Sequence, residues 1–216
     1  MSLFRLDASI RTEGSVSRAI ADIVEESWRQ DNPEAEVTRR HIGLEPVPST
    51  SWALSVFANR ADLASLSPGQ KDAVELATTL ADELLEADAL LFAVPLYNFG
   101  VSQHFKAWVD IVNTDPRMSA AAGQPLKGRP GVLVVVRGGA YGAGTPREGW
   151  DHASGWMRRI LEDVWGLDLR VVETEFTLAG VNPALDQFKD IAAEMRKESE
   201  RVAADHGHHL AGALTH

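Results

Sequence analysis

Two runs along the chain are apolar without interruption, Ala89-Leu90-Leu91-Phe92-Ala93-Val94 and Val132-Leu133-Val134-Val135-Val136. Neither alternates with polar residues, so each predicts a strand buried on both faces, as in a parallel sheet covered by helices on both sides. Leu3 to Asp7, Glu36 to Arg40 and Leu169 to Thr177 predict three more strands, and the second apolar run extends into one from Gly131 to Arg137. Between strands the apolar spacing becomes helical. Ile20, Ile23, Val24 and Trp28 form one stripe; Ala73, Leu76, Leu80 and Leu84 form a second; Phe105, Trp108, Val109 and Val112 a third. Trp156, Ile160 and Val164 give a fourth, and Leu185, Phe188, Ala192 and Met195 a fifth. Ser67-Pro68 and Asn182-Pro183 supply an N-cap followed by proline at the first helical position, a good start signal.

Strict β-α alternation over 216 residues predicts one domain, residues 1–216, with right-handed crossovers. The expected architecture is an α/β, flavodoxin-like, doubly wound five-stranded parallel sheet of order 2-1-3-4-5 with helices on both faces. A C-terminal helix should begin near residue 183. Residues 45–67, with Pro46, Pro48, Trp52 and Phe57, show no strand pattern and are expected to form a long loop acting as a lid or an oligomer contact. In this topology a ligand crevice opens at the carboxyl ends of the strands, where the turns after strands 1, 3 and 4 must meet.

Composition narrows the chemistry. A net charge of −10 disfavours nucleic acid, and Arg39-Arg40 and Arg158-Arg159 are only pairs. There is no cysteine, which excludes disulfides and thiol catalysis. No stretch reaches the ~18 apolar residues of a membrane span, and no signal segment opens the sequence, so a cytoplasmic location is expected.

The first turn, Ser9 to Ser17, combines four hydroxyls, Gly14 and Arg11 at a helix start, which suits a terminal phosphate. It is not a Gly-x-Gly-x-x-Gly fingerprint and lacks Gly-Lys-Ser/Thr. An ordinary turn with Ser17 as N-cap has the same composition. In the second turn, Pro95-Leu96-Tyr97-Asn98-Phe99-Gly100, the aromatics could frame a flat ring and Asn98 could bond its edge, or the aromatics could cap the core. The third, Arg137-Gly138-Gly139-Ala140-Tyr141-Gly142, lets backbone approach a ligand closely, or is a plain turn.

Ser9 with Ser15-Val16-Ser17, then Pro95 to Phe99 leading through Lys106-Ala107-Trp108-Val109-Asp110, then Arg137-Gly138-Gly139, together resemble the FMN-dependent NADH:quinone oxidoreductases, also called FMN-dependent azoreductases. The resemblance implies bound FMN, NADH or NADPH as donor, a homodimer with FMN sites at the subunit interface, and two-step turnover onto a quinone or azo-type planar acceptor. It implies that Ser9, Ser15, Val16 and Ser17 hold the phosphate, Leu96, Tyr97, Asn98 and Phe99 the ring, and Val136, Arg137, Gly138 and Gly139 its pyrimidine side; Arg11 and Pro95 join the cofactor-binding candidates from the turns that contain them. No side chain is required as a catalytic nucleophile, since the redox chemistry belongs to FMN. Two departures stand out. Thr114 to Gly128 lacks the family's Gly-x-Thr-Phe-x-Tyr stretch, which leaves the acceptor open, and Val136 replaces a usual Ser or Thr.

Tyr141, Trp52 and Phe57 are candidate contributors to the substrate pocket. His206-Gly207-His208-His209 reads as a solvated tail rather than a metal site, and no metal is expected. Lys106 and Asp110, four apart, suit a surface pair. Rival functions are a flavodoxin-like electron carrier, a flavin reductase serving a partner monooxygenase, and a cofactor-free structural role.

Overall fold

The computed structural model describes residues 1–145 and 147–213. In chain order its strands are β1 (Ser2–Asp7), β2 (Glu36–His41), β3 (Ala89–Tyr97), β4 (Gly100–Val101), β5 (Pro130–Val136) and β6 (Asp168–Thr174). The helices are α1 (Val16–Asp31), α2 (Ser51–Ala58), α3 (Pro68–Leu85), α4 (Gln103–Val112), α5 (Ser154–Arg158) and α6 (Lys189–Gly212). The parallel sheet runs β2-β1-β3-β5-β6, the anticipated order once the short β4, antiparallel to β3, is set aside.

Alternation along the central strands explains their unbroken apolarity. Leu90, Phe92 and Val94 of β3 and Leu133 and Val135 of β5 face one side, where Phe105 and Trp108 of α4 and Leu80 and Leu84 of α3 cover them. Leu91, Ala93, Val132 and Val134 face the other, under Ile20, Val24 and Trp28 of α1 and Ala203 and Leu210 of α6. Trp108 anchors the first face, stacked on Phe4 and Phe105 at centroid distances of 6.3 and 5.8 Å and edge-on to Trp165 at 5.7 Å. Each such buried side chain contributes roughly 1.5–3 kcal/mol.

Register brings the strand exits level. Asp7 lies opposite Ala93, and Pro95 opposite Val136. The chain therefore leaves β1, β3 and β5 along one line.

Four local features differ from the sequence pattern. Residues 45–67 contain α2 and a 3-10 turn, Leu63–Ser65, where a loop was expected. The fourth helical stripe passes from α5 into a π-helical stretch, Arg159–Val164. The carboxyl-terminal segment turns helical at 183, as a 3-10 stretch, Pro183–Phe188, before α6. The histidine run is not a solvated tail. It lies in α6, where a Gly207 Cβ would stand 2.4 Å from the Val24 carbonyl oxygen, so only glycine permits this close crossing with α1. There His208 pairs with Asp31 at 2.7 Å.

Candidate functional site

The turn after β1 is drawn into shape from outside. The Arg18 guanidinium donates to the carbonyls of Arg11 and Thr12 at 2.6 and 2.8 Å. With those carbonyls engaged, the free N–H groups at the start of α1 point the other way. Ser15 is the N-cap, its hydroxyl accepting from the Arg18 N–H at 3.4 Å. The N–H groups of Val16 and Ser17 belong to the helix's first turn and have no acceptor among the described residues. Ser9, Ser15 and Ser17 are all buried, and among the described residues the Ser17 hydroxyl has the Ser15 hydroxyl alone, at 3.3 Å, as partner. Buried donors held this sparsely are a cost unless an acceptor enters. Gly43 fixes the turn from behind, because a Cβ there would stand 2.1 Å from the Ser9 carbonyl oxygen.

The second turn is shorter than its sequence suggests. Pro95, Leu96 and Tyr97 remain in β3, and only Asn98 and Phe99 form the loop of a hairpin into β4. Both have positive φ, 48° and 68°. Asparagine tolerates this; phenylalanine is strained by it, at about 1–2 kcal/mol. What holds Phe99 there is its surroundings. Its ring packs edge-on against Trp150 at 5.3 Å and Tyr141 at 6.1 Å, and its carbonyl accepts from the His152 N–H at 2.9 Å. The Tyr97 hydroxyl accepts from the Ile10 N–H at 3.2 Å, tying the second turn to the first.

In the third turn, the carbonyls of Arg137, Gly138 and Gly139 accept from Thr177, Leu178 and Phe176 respectively. The N–H groups of Gly138 and Gly139 make no hydrogen bond to described residues. Arg137 itself points away from the crevice. Its buried guanidinium bonds Asp151 and Glu173, with Glu175 at 3.7 Å, and donates to the Ser154 hydroxyl at 2.9 Å. Burial alone would lower the Arg137 pKa, but Glu173 and Asp151 hold it above the ordinary value. Burial would raise the Asp151 pKa. The Ser154 hydroxyl, the N–H groups of Ser154 and Ala153 and the Arg137 charge outweigh it and hold that carboxyl below the usual range.

The three turns enclose one cleft. Ser9, Arg11, Ser15, Val16 and Ser17 line its first wall; Pro95, Leu96 and Tyr97 the second; Val136 and Gly138 the third. Thr177 and Leu178 complete it. Sequence reasoning missed these two, although they follow the fifth strand and so leave the sheet at the same end. Asn98, Phe99, Arg137 and Gly139 stand beside the cleft rather than on its lining, as does Tyr141, which packs on Phe99. Trp52 and Phe57 lie exposed on α2, 51% and 59% accessible, and do not line it. Arg11 is the one charged side chain on the lining, and no carboxylate joins it. The enclosed part measures about 140 Å³. That is below the roughly 300 Å³ of pockets that engulf a drug-sized ligand, so a flat ring seated here keeps part of its surface open.

The donor set fits a phosphorylated planar cofactor such as FMN. Hydroxyls and free N–H groups sit at a helix start for the dianion, and apolar strand ends and bare glycine backbone lie a few residues away for the ring. Among the described residues no group of three or more His, Asp or Glu side chains could hold a metal ion, and no helix is long and apolar enough to cross a membrane.

Comparison with known proteins agrees with this geometry. A family model described as a flavodoxin-like fold matches residues 1–202. A protein of Frankia casuarinae named FMN-dependent NADH:quinone oxidoreductase is 38% identical over 203 residues, covering 93% of this chain and 96% of that protein. One of the same name from Streptomyces avermitilis is 33% identical, covering 97% of each. An azoreductase structure from Bacillus anthracis superposes with a TM-score of 0.77 at 21% identity, over 96% of this chain and 99% of that one, which supports the fold alone. With its relatives covered almost end to end and its fold that of the matched model, the chain belongs to the family of the FMN-dependent NADH:quinone oxidoreductases.

Proposed function

We propose that the protein is an FMN-dependent oxidoreductase that takes hydride from NADH or NADPH and passes two electrons to a quinone or azo-type planar acceptor. The observation that carries this is the cleft at the switch between β1 and β3. It has phosphate-type donors at the start of α1, a ring-sized slot between β3 and β5, and no carboxylate on its wall in a chain of net charge −10.

FMN, when bound, supplies the hydride and electron chemistry. The chain supplies position. Ser15, Ser17 and the N–H groups of Val16 and Ser17 would hold the phosphate, with Ser9 and Arg11 beside them. Leu96 and Tyr97 would bound the ring on one side and Val136 and Gly138 on the other, and Asn98 and Phe99 would shape the end of the slot. The unpaired N–H groups of Gly138 and Gly139 can stabilise negative charge at the ring edge without reorganising. Arg137 acts through structure, fastening the loop that carries Asp151 to β6. Tyr141 stands where an acceptor would approach Phe99, whereas Trp52 and Phe57 fit a contact with a second copy better than a pocket in one chain. We take the working unit to be a homodimer in the cytoplasm, with residues 45–67 as part of its interface or as a lid.

The test is an absorption spectrum of the purified protein before and after NADH under anaerobic conditions, followed by addition of a quinone. Flavin bands that bleach with NADH and return with quinone are expected. Protein that is colourless and takes up no added FMN would refute the assignment, and bound flavin whose bands NADH leaves unbleached would favour an electron carrier.

A further inference from the structure

Arg147, like Arg11 and Arg18 on the phosphate side, forms no ion pair within the described residues, and of the three it is the one set against the ring of Phe99. Its guanidinium lies 5.7 Å from the centroid of the Phe99 ring, and its terminal nitrogen lies 3.4 Å from where a Gly139 Cβ would be. It therefore bridges the second and third turns at the rim of the cleft. Arg5 and Arg137 contrast with it, each buried and bonded to carboxylates. The neighbouring acid, Glu148, is turned onto the Gly144 N–H at 2.8 Å and does not neutralise Arg147. Around the same Phe99 ring stand Tyr141 and Trp150, both edge-on, and Trp150 is 49% exposed.

We propose that Phe99, Tyr141, Trp150 and Arg147 form an acceptor subsite selective for planar aromatic molecules bearing an anionic substituent, a sulfonate or carboxylate. Aromatic edges and faces give flat, apolar contact that any ring system satisfies. The guanidinium gives what the rest of the surface withholds. A chain of net charge −10 repels anions generally, so an unpaired, forked cation on the ring side of the cleft, away from Arg11 at the phosphate side, sets the preference there. A guanidinium held over a ring at this distance by its charge keeps its N–H donors free, and those donors match the oxygens of a sulfonate or carboxylate in pairs. This deepens the oxidoreductase reading and rests on it, because the subsite serves turnover only if the adjacent slot holds the flavin.

The measurement is equilibrium binding to the purified full-length protein. Anthraquinone-2-sulfonate is compared with 2-(hydroxymethyl)anthraquinone, which keeps the ring system and loses the charge, with tryptophan fluorescence as readout. In the unsubstituted protein the sulfonate should bind about tenfold more tightly, which corresponds to one good charge-assisted contact at a partly exposed site. In Arg147→Gln that ratio should fall to near one, and in Arg147→Lys it should recover in part, since lysine restores charge without the fork. A ratio near one in the unsubstituted protein, or one that Arg147→Gln does not move, overturns the proposal. Because no donor is present, the ratio remains readable even if NADH bleaches no flavin, so failure of the subsite is distinguishable from failure of the redox assignment.

Discussion

Gly43 offers a direct test of whether the turn after β1 is a phosphate cradle. Its φ is unremarkable; what requires glycine is proximity. A Cβ built there would lie 2.1 Å from the Ser9 carbonyl oxygen and 2.5 Å from its carbon, both backbone atoms that cannot swing aside. In Gly43→Ala the Ser9 backbone must retreat by about 1.3 Å to restore ordinary contact, with an overpacking cost of about 1–3 kcal/mol. A shift of that size takes the Ser9 hydroxyl out of hydrogen-bond range of anything it now reaches. A hydrogen bond to a charged group is worth about 1.5–3 kcal/mol, so FMN affinity should fall roughly 10- to 100-fold. The assay is FMN titration by flavin fluorescence, alongside urea denaturation. Gly207→Ala is the control. Its Cβ would meet Val24 and Ser27 at 2.4 and 2.6 Å where α1 crosses α6, so it should lose similar stability while FMN affinity holds. Unchanged FMN affinity in Gly43→Ala, or equal affinity losses in both variants, would refute the cradle.

Ser17→Ala removes a buried hydroxyl whose partner among the described residues is Ser15 alone, so it should leave urea stability within about 0.5 kcal/mol and weaken FMN roughly tenfold. Riboflavin, which lacks the phosphate, should bind both proteins alike; a parallel loss for riboflavin would place Ser17 elsewhere on the ligand. Arg137→Ala leaves the part-buried Asp151 and Glu175 without their cation and should cost about 3 kcal/mol in denaturant unfolding, whereas exposed Arg159→Ala, paired with Asp163, should cost less than about 0.5 kcal/mol. Asp151 has a folded pKa below its unfolded one, so its contribution to stability is complete above the unfolded value near ~4 and is lost as pH falls through the folded one. Asp151→Asn should accordingly lower stability at neutral pH yet flatten its decline below about pH 4, read from urea midpoints across that range.

The sheet was legible in the sequence because its central strands are buried on both faces, so Leu90, Phe92 and Leu133 sit beside Leu91, Val132 and Val134 with no polar interruption. Level strand exits then made the convergence of three turns a matter of topology. Helix α2 was hidden by an inverted pattern. It buries only the small residues Ser51, Ser55 and Ala58 and leaves Trp52 and Phe57 outside, so no apolar stripe marks it. The burial of the end of α6 was hidden likewise, since Gly207 within the histidine run reads as a tail residue until α1 is laid against it. The β3–β4 hairpin carries Asn98-Phe99 where a two-residue loop normally has glycine second, and the strain shows only in φ. The Arg137 side chain, expected beside a ligand, is turned onto acids behind the cleft. Residue type cannot tell a ligand-facing arginine from one turned onto Asp151 and Glu173.

Those buried arginines explain how so acidic a chain can present an anion site at all. Asp7 ends β1 two residues before Ser9, where an unpaired carboxylate would oppose a phosphate. Arg5 holds it at 3.2 Å and pairs with Asp22 and Glu25 at 2.7 and 3.0 Å, so negative charge beneath the first turn is consumed inside the fold. Arg137 does the same beneath the third turn for Asp151, Glu173 and Glu175. At the few ångströms that separate these groups, attraction in a partly buried setting far exceeds the screened repulsion of distant surface acids. The potential in the cleft is therefore set by Arg11 and by free N–H groups at the start of α1 rather than by the net charge, and cradle and counter-ions are two parts of one arrangement.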